Sequence, residues 1–515
     1  MVSRLLFPFL VVLSALASVL LPACESAEDT LQPTGQLAFS ADTVAFDTIF
    51  TTLRTVTRRL WVYNRNPHAV SVRFIGVDPS RPSPYTLLIG GDLTQAAHDV
   101  VVRGRDSLLV LVRATLPDNG ANGPAKGLVV ENALLFRTNG QEQRVLLRAF
   151  GQNIYLHDNV TLPAAAEWTN DRPHVLYGSV VVPANGVLRL KPGTRVYAHA
   201  GAALVVRGTL LVNAPADFAP PRGTANDTVG AADPRRVRFA GDRLEASYAT
   251  APGQWIGIVL DAGSQGNVIR YASIQNASVG VLLYNPTNRT PQPDVAVDNA
   301  VIRYVSGAAT GFAGAASTTG LPGAGLLNVL GRATVRNTLF SDCYEYAVVS
   351  LGGSCALDFC TVANFPFTAG VRDTPALYFS NALADGAAAP TYPTAVQLRN
   401  SIVWGTRADE LFFANYPAYA SGVLVENSLL RTQLYAPAIG TNGGPGLGAA
   451  PLRNAVNADP QFRLLPTGPG RGDYRLGPLS PAFQRGVSLG TVPGADLLNL
   501  PRTATPSLGA YESLR

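Results

Sequence analysis

One five-residue phrase returns four times in the second half of the chain: an apolar residue, any residue, Asn, a small residue, an apolar residue. It reads Val297-Asp298-Asn299-Ala300-Val301, Val335-Arg336-Asn337-Thr338-Leu339, Leu398-Arg399-Asn400-Ser401-Ile402 and Val425-Glu426-Asn427-Ser428-Leu429. Ile269-Arg270-Tyr271-Ala272-Ser273-Ile274 and Leu357-Asp358-Phe359-Cys360-Thr361-Val362 read as degenerate copies, each lengthened by one residue. The intervals fit turns of about 20 to 30 residues, some doubled or enlarged by loops. A chain that repeats in this way buries its apolar positions by stacking. In a parallel coil each turn lies about 4.8 Å from the next, so equivalent side chains form columns. Apolar columns fill the inside. Asn accepts the left-handed backbone that a tight corner needs, so Asn299, Asn337, Asn400 and Asn427 are expected to form a column bonded to the neighbours above and below. At about 0.5–1.5 kcal/mol net per hydrogen bond, such a column sharpens register more than it drives folding.

The same grammar begins near Tyr155. Val180-Val181-Val182-Pro183-Ala184-Asn185-Gly186 and Ala203-Leu204-Val205-Val206-Arg207-Gly208 are short apolar segments punctuated by glycine. From about Leu37 to Gly151 the pattern differs. Thr57–Asn64, Val70–Phe74 and Ser107–Val112 alternate as strands, separated by turn clusters such as Asn64-Arg65-Asn66-Pro67 and Pro117-Asp118-Asn119-Gly120. Several such strands in about a hundred residues make a sandwich. The 49 glycines and 38 prolines are spread along the chain, which favours short strands over long helices throughout.

Both bodies resemble known families. The strand order of the first, ending in Ala133-Leu134-Leu135-Phe136-Arg137-Thr138-Asn139 and Val145–Gly151, is similar to immunoglobulin-like domains of the abnormal-spindle and hydin type, which implies a spacer or interaction module. The second resembles the pectate-lyase-like parallel β-helix superfamily, in particular β-helix lipoproteins of Gram-negative bacteria. Trp255–Leu260, Val279-Gly280-Val281, Asp459-Pro460-Gln461-Phe462, Asp473-Tyr474-Arg475-Leu476, Ser480-Pro481-Ala482 and Gly509-Ala510-Tyr511-Glu512 carry that likeness; Gln484 stands where the family's tail has Asp. The resemblance implies an all-β protein: a right-handed parallel β-helix behind an immunoglobulin-like β-sandwich. The expected divisions are a signal peptide (1–23), a linker (24–36), the sandwich (37–152), the β-helix (153–458) and a C-terminal tail (459–515). The first coil and the tail are expected to cap the exposed ends of the coil.

The N-terminus reads as an address. Arg4 precedes an apolar run from Leu5 to Leu21, and Leu21-Pro22-Ala23-Cys24 resembles the lipobox of bacterial lipoproteins, which implies an acylated Cys24 as the mature N-terminus. Stable anchoring takes two or more chains, and no second apolar run has spanning length. The expectation is an exported protein, lipid-anchored in the outer membrane and facing the cell surface. Cys343, Cys355 and Cys360 remain, an odd number that reads as small apolar core residues, with one bridge open as an alternative. The net charge of +5 is carried by scattered arginines, lysine occurring only at Lys126 and Lys191, so a nucleic-acid partner is not expected.

Chemistry is harder to find. Hydrolases on such a scaffold need clustered carboxylates, and adjacent Asp pairs do not occur after residue 153; no histidine follows His199. Lyases need Ca²⁺ held by several carboxylates, with a basic side chain. Asp294, Asp298, Asp342, Glu345, Asp358 and Asp373 are scattered candidates, each reading equally as a solvated turn residue. No metal or other cofactor is expected beyond that Ca²⁺ alternative. The segment from Phe365 to Gln397 and the stretch after it bring aromatics near carboxylates. Trp404, Tyr416, Tyr419, Asp373 and Glu410 are the candidate glycan-binding residues, Trp404 reading also as coil packing. Arg471-Gly472-Asp473 spells an adhesion tripeptide that the tail pattern already accounts for. The expectation is a surface lipoprotein presenting a rigid coil to a polysaccharide or a surface protein, without catalysis. The alternative is a polysaccharide lyase or glycoside hydrolase with an atypical site.

Overall fold

The structure, a computed structural model, describes residues 31, 34–53, 57–118, 120, 128–218, 233–307, 321–366, 372–384, 389–441, 443–468, 471–490 and 494–513. The expected signal segment and Cys24 lie outside the described residues. The chain forms two compact units, one running to Asn153 and the other starting at Ile154. Among the described residues no helix is long and apolar enough to cross a membrane.

The first unit is an immunoglobulin-like β-sandwich of two five-stranded sheets. Arg58–Tyr63 pairs antiparallel with Ser107–Ala114 in one sheet, and Leu128–Thr138 with Gln141–Gln152 in the other. Strand alternation puts Leu60, Val62, Val110 and Val112 of the first sheet against Val72, Ile75, Leu134 and Phe136 of the second, all fully buried. Asn64, which ends its strand, is buried and ties the turn down. Its side-chain amide donates to the carbonyls of His68 and Val102, both at 2.9 Å.

The second unit is a parallel β-helix. Its coils contribute strands to three parallel sheets, here called A, B and C, of 11, 9 and 8 strands among the described residues. Sheet A runs from Tyr155–Asp158 to Ala455–Val456, sheet B from Ala165–Trp168 to Val423–Glu426, and sheet C from Ser179–Val182 to Leu411–Ala414. Inward columns are apolar: on sheet A, Val196, Phe239, Ile274, Ile302, Phe340, Val362 and Val403 follow one another in register. The three cysteines sit in or beside this core as buried free thiols, and burial raises their pKa values.

The corner from sheet B to sheet A is where the repeated phrase falls. Strand register places Tyr271, Asn299, Asn337, Phe359, Asn400, Asn427 and Arg453 at equivalent positions. All seven adopt left-handed backbone, with φ from 42° to 55°. The degenerate copies are therefore not lengthened. Ser273 and Thr361 occupy the slot held by Val301 and Leu339, so those copies differ in polarity and not in length.

The Asn side chains do not chiefly bond to one another. Asn337 reaches Asn299 at 3.5 Å, the limit of a hydrogen bond, and their stronger partners lie in the C-terminal tail. Asn299 donates to the Asp496 carbonyl (2.6 Å) and Asn337 to that of Ala495 (2.8 Å), while Asn400 exchanges two 2.9 Å bonds with the Val487 backbone. Nor does the tail sit over the last coil as an end cap. Phe462, Tyr474, Leu476, Ala482, Leu497, Leu508 and Ala510 cover the outward positions of sheet A, among them Val301, Leu339, Ile402 and Leu429. Burying those apolar positions is the physical reason for the lateral course. At the tightest approach a Cβ on Gly509 (φ 84°) would lie 2.5 Å from Thr361 Oγ1, so only glycine fits.

Candidate functional site

Outward positions of sheet A change character along the coil. Arg195, Arg238 and Ser273 precede Val301, Leu339, Thr361, Ile402 and Leu429 in one column. The apolar run lies under the tail, and the polar run does not. At the change lies a groove of about 530 Å³, floored by Tyr197, Arg238, Ala240, Ser273, Gln275 and Arg303. One wall is the loop after Val237–Gly241, lined by Arg243, Leu244 and Ala249.

That wall is pinned from the coil. Asn276, left-handed at φ 65°, donates to the carbonyls of Ala249 (3.2 Å) and Ala251 (2.8 Å), and Gln254 donates to those of Tyr248 (2.7 Å) and Ala251 (2.8 Å). Arg243 stacks on Tyr248 at 3.8 Å and pairs with Glu245. Just outside the groove, Asp242 accepts from His199 at 2.6 Å, and His199 stacks on Tyr177 at 4.2 Å; burial raises the Asp242 pKa. Arg238 and Arg303 differ from Arg243. Neither has a carboxylate within ion-pair distance among the described residues, and both face the groove, whose lining contains no acidic side chain.

Arg303 also lines a second cavity of about 280 Å³, with Val301, Leu339, Ser341 and Asp342 from sheet A. Gly472, Asp473, Tyr474, Arg475 and Tyr511 of the tail complete it. Burial pushes the Asp342 carboxyl up to about 6, against smaller opposing effects of Ser341 and Arg303. For Asp473, burial acts upward too, but Arg475, bonded at 2.6 and 2.9 Å, more than offsets it and holds the carboxylate below its usual range.

The residues expected to form a sugar-binding surface do not gather in one place: Tyr416 and Tyr419 lie against each other, ring centroids 6.1 Å apart, and Trp404 lies on a different sheet. Trp404 lies on sheet A, half-buried beside the tail, with the Arg431 guanidinium 5.0 Å over its ring. Tyr416 follows a sheet C strand and is half-buried against Phe413 and Tyr419. Tyr419 is buried in the core and donates to the Phe379 carbonyl at 3.2 Å. Glu410 is 0% exposed: it holds Arg372 through both oxygens (2.6 and 2.7 Å) and accepts from the backbone of Ala376 and Arg407. Tyr419 and Glu410 therefore serve the fold, because their polar atoms are spent inside it. Asp373 is exposed, next to residues 367–371, which are not described.

The other carboxylates are likewise dispersed. Asp294 pairs with Arg332 (3.2 Å) and Asp358 with Arg399 (2.9 Å). Glu345 accepts from the backbone of Gly307 and Gly323. Asp298 sits in a column whose charges alternate, Arg270, Asp298, Arg336, Asp358, Arg399, Glu426, with its pKa raised by burial. Among the described residues no three His, Cys, Asp or Glu side chains gather as a metal site. Sequence reasoning missed Arg238, Arg303 and Asp342 as a group. The available signal was the outward slot turning from Arg and Ser to Val and Leu, which marks the boundary of the covered face.

No protein-family model matches the chain, and no curated protein does. Among solved structures, the ASH/PapD-like domain 7 of human CEP192 aligns with 24% of this chain and 87% of its own, at 12% identity and a TM-score of 0.16. A family 123 glycoside hydrolase from Clostridium perfringens aligns with 25% of this chain and 26% of its own, at 8% identity and a TM-score of 0.16. At these scores neither likeness bears on what this protein does.

Proposed function

We propose that the protein is an exported lipoprotein, anchored in the outer membrane through Cys24, whose β-helix binds an acidic polysaccharide in the sheet A groove. The anchor rests on the lipobox-like Leu21-Pro22-Ala23-Cys24 behind its apolar run. The ligand class rests on one observation: Arg238 and Arg303 face an open groove, neither ion-paired to a carboxylate among the described residues, beside Gln275 and Tyr197. Guanidinium groups bind carboxylate or sulfate in a planar, bidentate manner, and amide and phenol groups serve sugar hydroxyls. Binding fits this geometry better than cleavage. The groove lining has no acid, and in the neighbouring cavity the Arg475 clamp takes from Asp473 the basicity a hydrolytic partner of Asp342 would need.

The test is calorimetry on the Cys24→Ala protein with polygalacturonate and, as the neutral control, dextran. Polygalacturonate should bind and dextran should not. Arg238→Ala should weaken binding by about tenfold, as loss of a charge-assisted contact does. Equal binding of dextran, or an unchanged affinity in Arg238→Ala, would refute the assignment. For the anchor, a palmitate analogue should label the wild-type protein and not Cys24→Ala.

A further inference from the structure

We infer that the cavity beside Arg303 receives the terminal sugar ring of the groove's glycan, so that the chain is held by its end. The inference rests on the acidic-glycan reading above and adds to it the mode of recognition. Arg303 lines both spaces, so the groove and the cavity adjoin at its side chain. They differ in what surrounds them. The groove is floored by coil and walled by the coil's own loop, whereas the tail residues Gly472–Arg475 and Tyr511 line the cavity opposite sheet A. Tyr474 packs into the apolar cluster that includes Val301 and Leu339, so the tail covers the sheet A floor on that side of the cavity. At about 280 Å³ the cavity lies just under the roughly 300 Å³ at which sites for drug-sized ligands begin, which is room for one ring.

Its polar atoms point the same way. Asp342 is 4% exposed and Tyr474 5%, yet among the described residues Asp342 Oδ1 and Tyr474 Oη have no hydrogen-bond partner, and neither has Arg303 Nε. Buried polar groups nearly always find partners. The three residues line one small cavity and bring to it a donor, an acceptor and a group able to do both, which match the hydroxyls and carboxylate of a uronate ring. Arg303 would take the carboxylate, while Asp342 and Tyr474 take ring hydroxyls over the apolar floor of Val301 and Leu339.

Tetragalacturonate is the probe, in three forms: unmodified, reduced at the reducing end, and unsaturated at the non-reducing end. Calorimetry should show one end-modified form weakened at least tenfold and the other unaffected. Longer oligomers should bind one protein per chain whatever their length. Tyr474→Phe should reproduce the loss for the unmodified tetramer and erase the difference among the three forms. If both end-modified forms bind like the unmodified one, and protein bound per chain rises with length, end capture is wrong while the groove stands. If no uronate oligomer binds in any form, both readings fall together.

Discussion

A side chain at a corner of this coil answers two demands, its own backbone and whatever passes outside. Asn satisfies both at Asn299, Asn337 and Asn400, tolerating φ near 50° and bonding the tail backbone. The first demand was legible in the sequence, because the residue type follows from local sterics. The second was not, since partners as far as 197 residues away leave no local trace. Phe359 shows the cost of reading type alone. It holds the same left-handed corner and answers the outside by stacking under the Arg502 guanidinium at 4.1 Å. At the first coils another pair of residues sets a pH limit. His157 and His174 lie parallel, 3.0 Å apart between ring nitrogens, and both stack on Trp168. Burial lowers their pKa values to about 4 and about 3, so both stay neutral when folded at a pH where an unfolded histidine, near 6.5, takes up a proton. Their stabilisation is intact above about pH 6.5 and is lost as pH falls toward 4. Amide exchange, corrected for intrinsic rates, should show opening of Tyr155–Asp158 and His174–Tyr177 favoured about tenfold or more at pH 5 relative to pH 7.5. Unchanged protection there would remove the histidines from the stability of this end.

Strands of four to six residues cannot hold register alone, and each sheet adds a lock to its apolar columns. Beside the B-to-A corner the lock is the alternation Arg270, Asp298, Arg336, Asp358, Arg399, Glu426, where a shift by one coil would set like charges together. On the sheet C side it is Arg372 and Glu410, 1% and 0% exposed in their side chains, which join the approach to strand Leu377–Ser380 with the approach to Leu411–Ala414. Apolar periodicity made the strands legible. It could not reveal that an acidic residue in an aromatic-rich stretch is an internal clamp, because nothing near Glu410 in sequence marks its partner 38 residues earlier. Glu410→Gln leaves the guanidinium buried without its counter-charge, and the expected cost is about 3–5 kcal/mol. Replacing both, Arg372→Met with Glu410→Leu, should cost markedly less than the sum of the single changes. A double-mutant cycle on denaturant midpoints measures this, and simple additivity would mean that the pair does not act as a unit.

A coil of stacked turns is close to one-dimensional: each turn touches its neighbours, so stability spreads only from coil to coil. The tail changes that over part of the length. It bonds Asn299, Asn337, Thr361 and Asn400 and covers outward positions from Val301 to Ala455, so it joins coils that are not neighbours as well as those that are. Coils from Tyr155 to Gln275 keep polar outward positions beside the groove and lack that covering cluster. The second unit should accordingly open in two blocks, the later one cooperative because a single strap spans it. Arg502 ties the strap both to the coil and to itself, bonded to Asn337 Oδ1 (2.6 Å) and the Gly509 carbonyl (2.9 Å) and 3.6 Å from Glu512. Arg502→Met removes those bonds and leaves Glu512, 0% exposed, without its cation. Amide exchange should then rise together in Val301–Val305, Leu339–Cys343, Thr361–Asn364 and Ile402–Gly405, and stay unchanged in Arg195–Ala198 and Val237–Gly241. A rise confined to the coil that holds Asn337 would mean that the tail covers the sheet without coupling it. A rise along the whole coil would mean that the unit is cooperative without a strap. The split outcome is the one that leaves the groove at the seam, where the rigid later coils and tail meet the open face of the earlier ones.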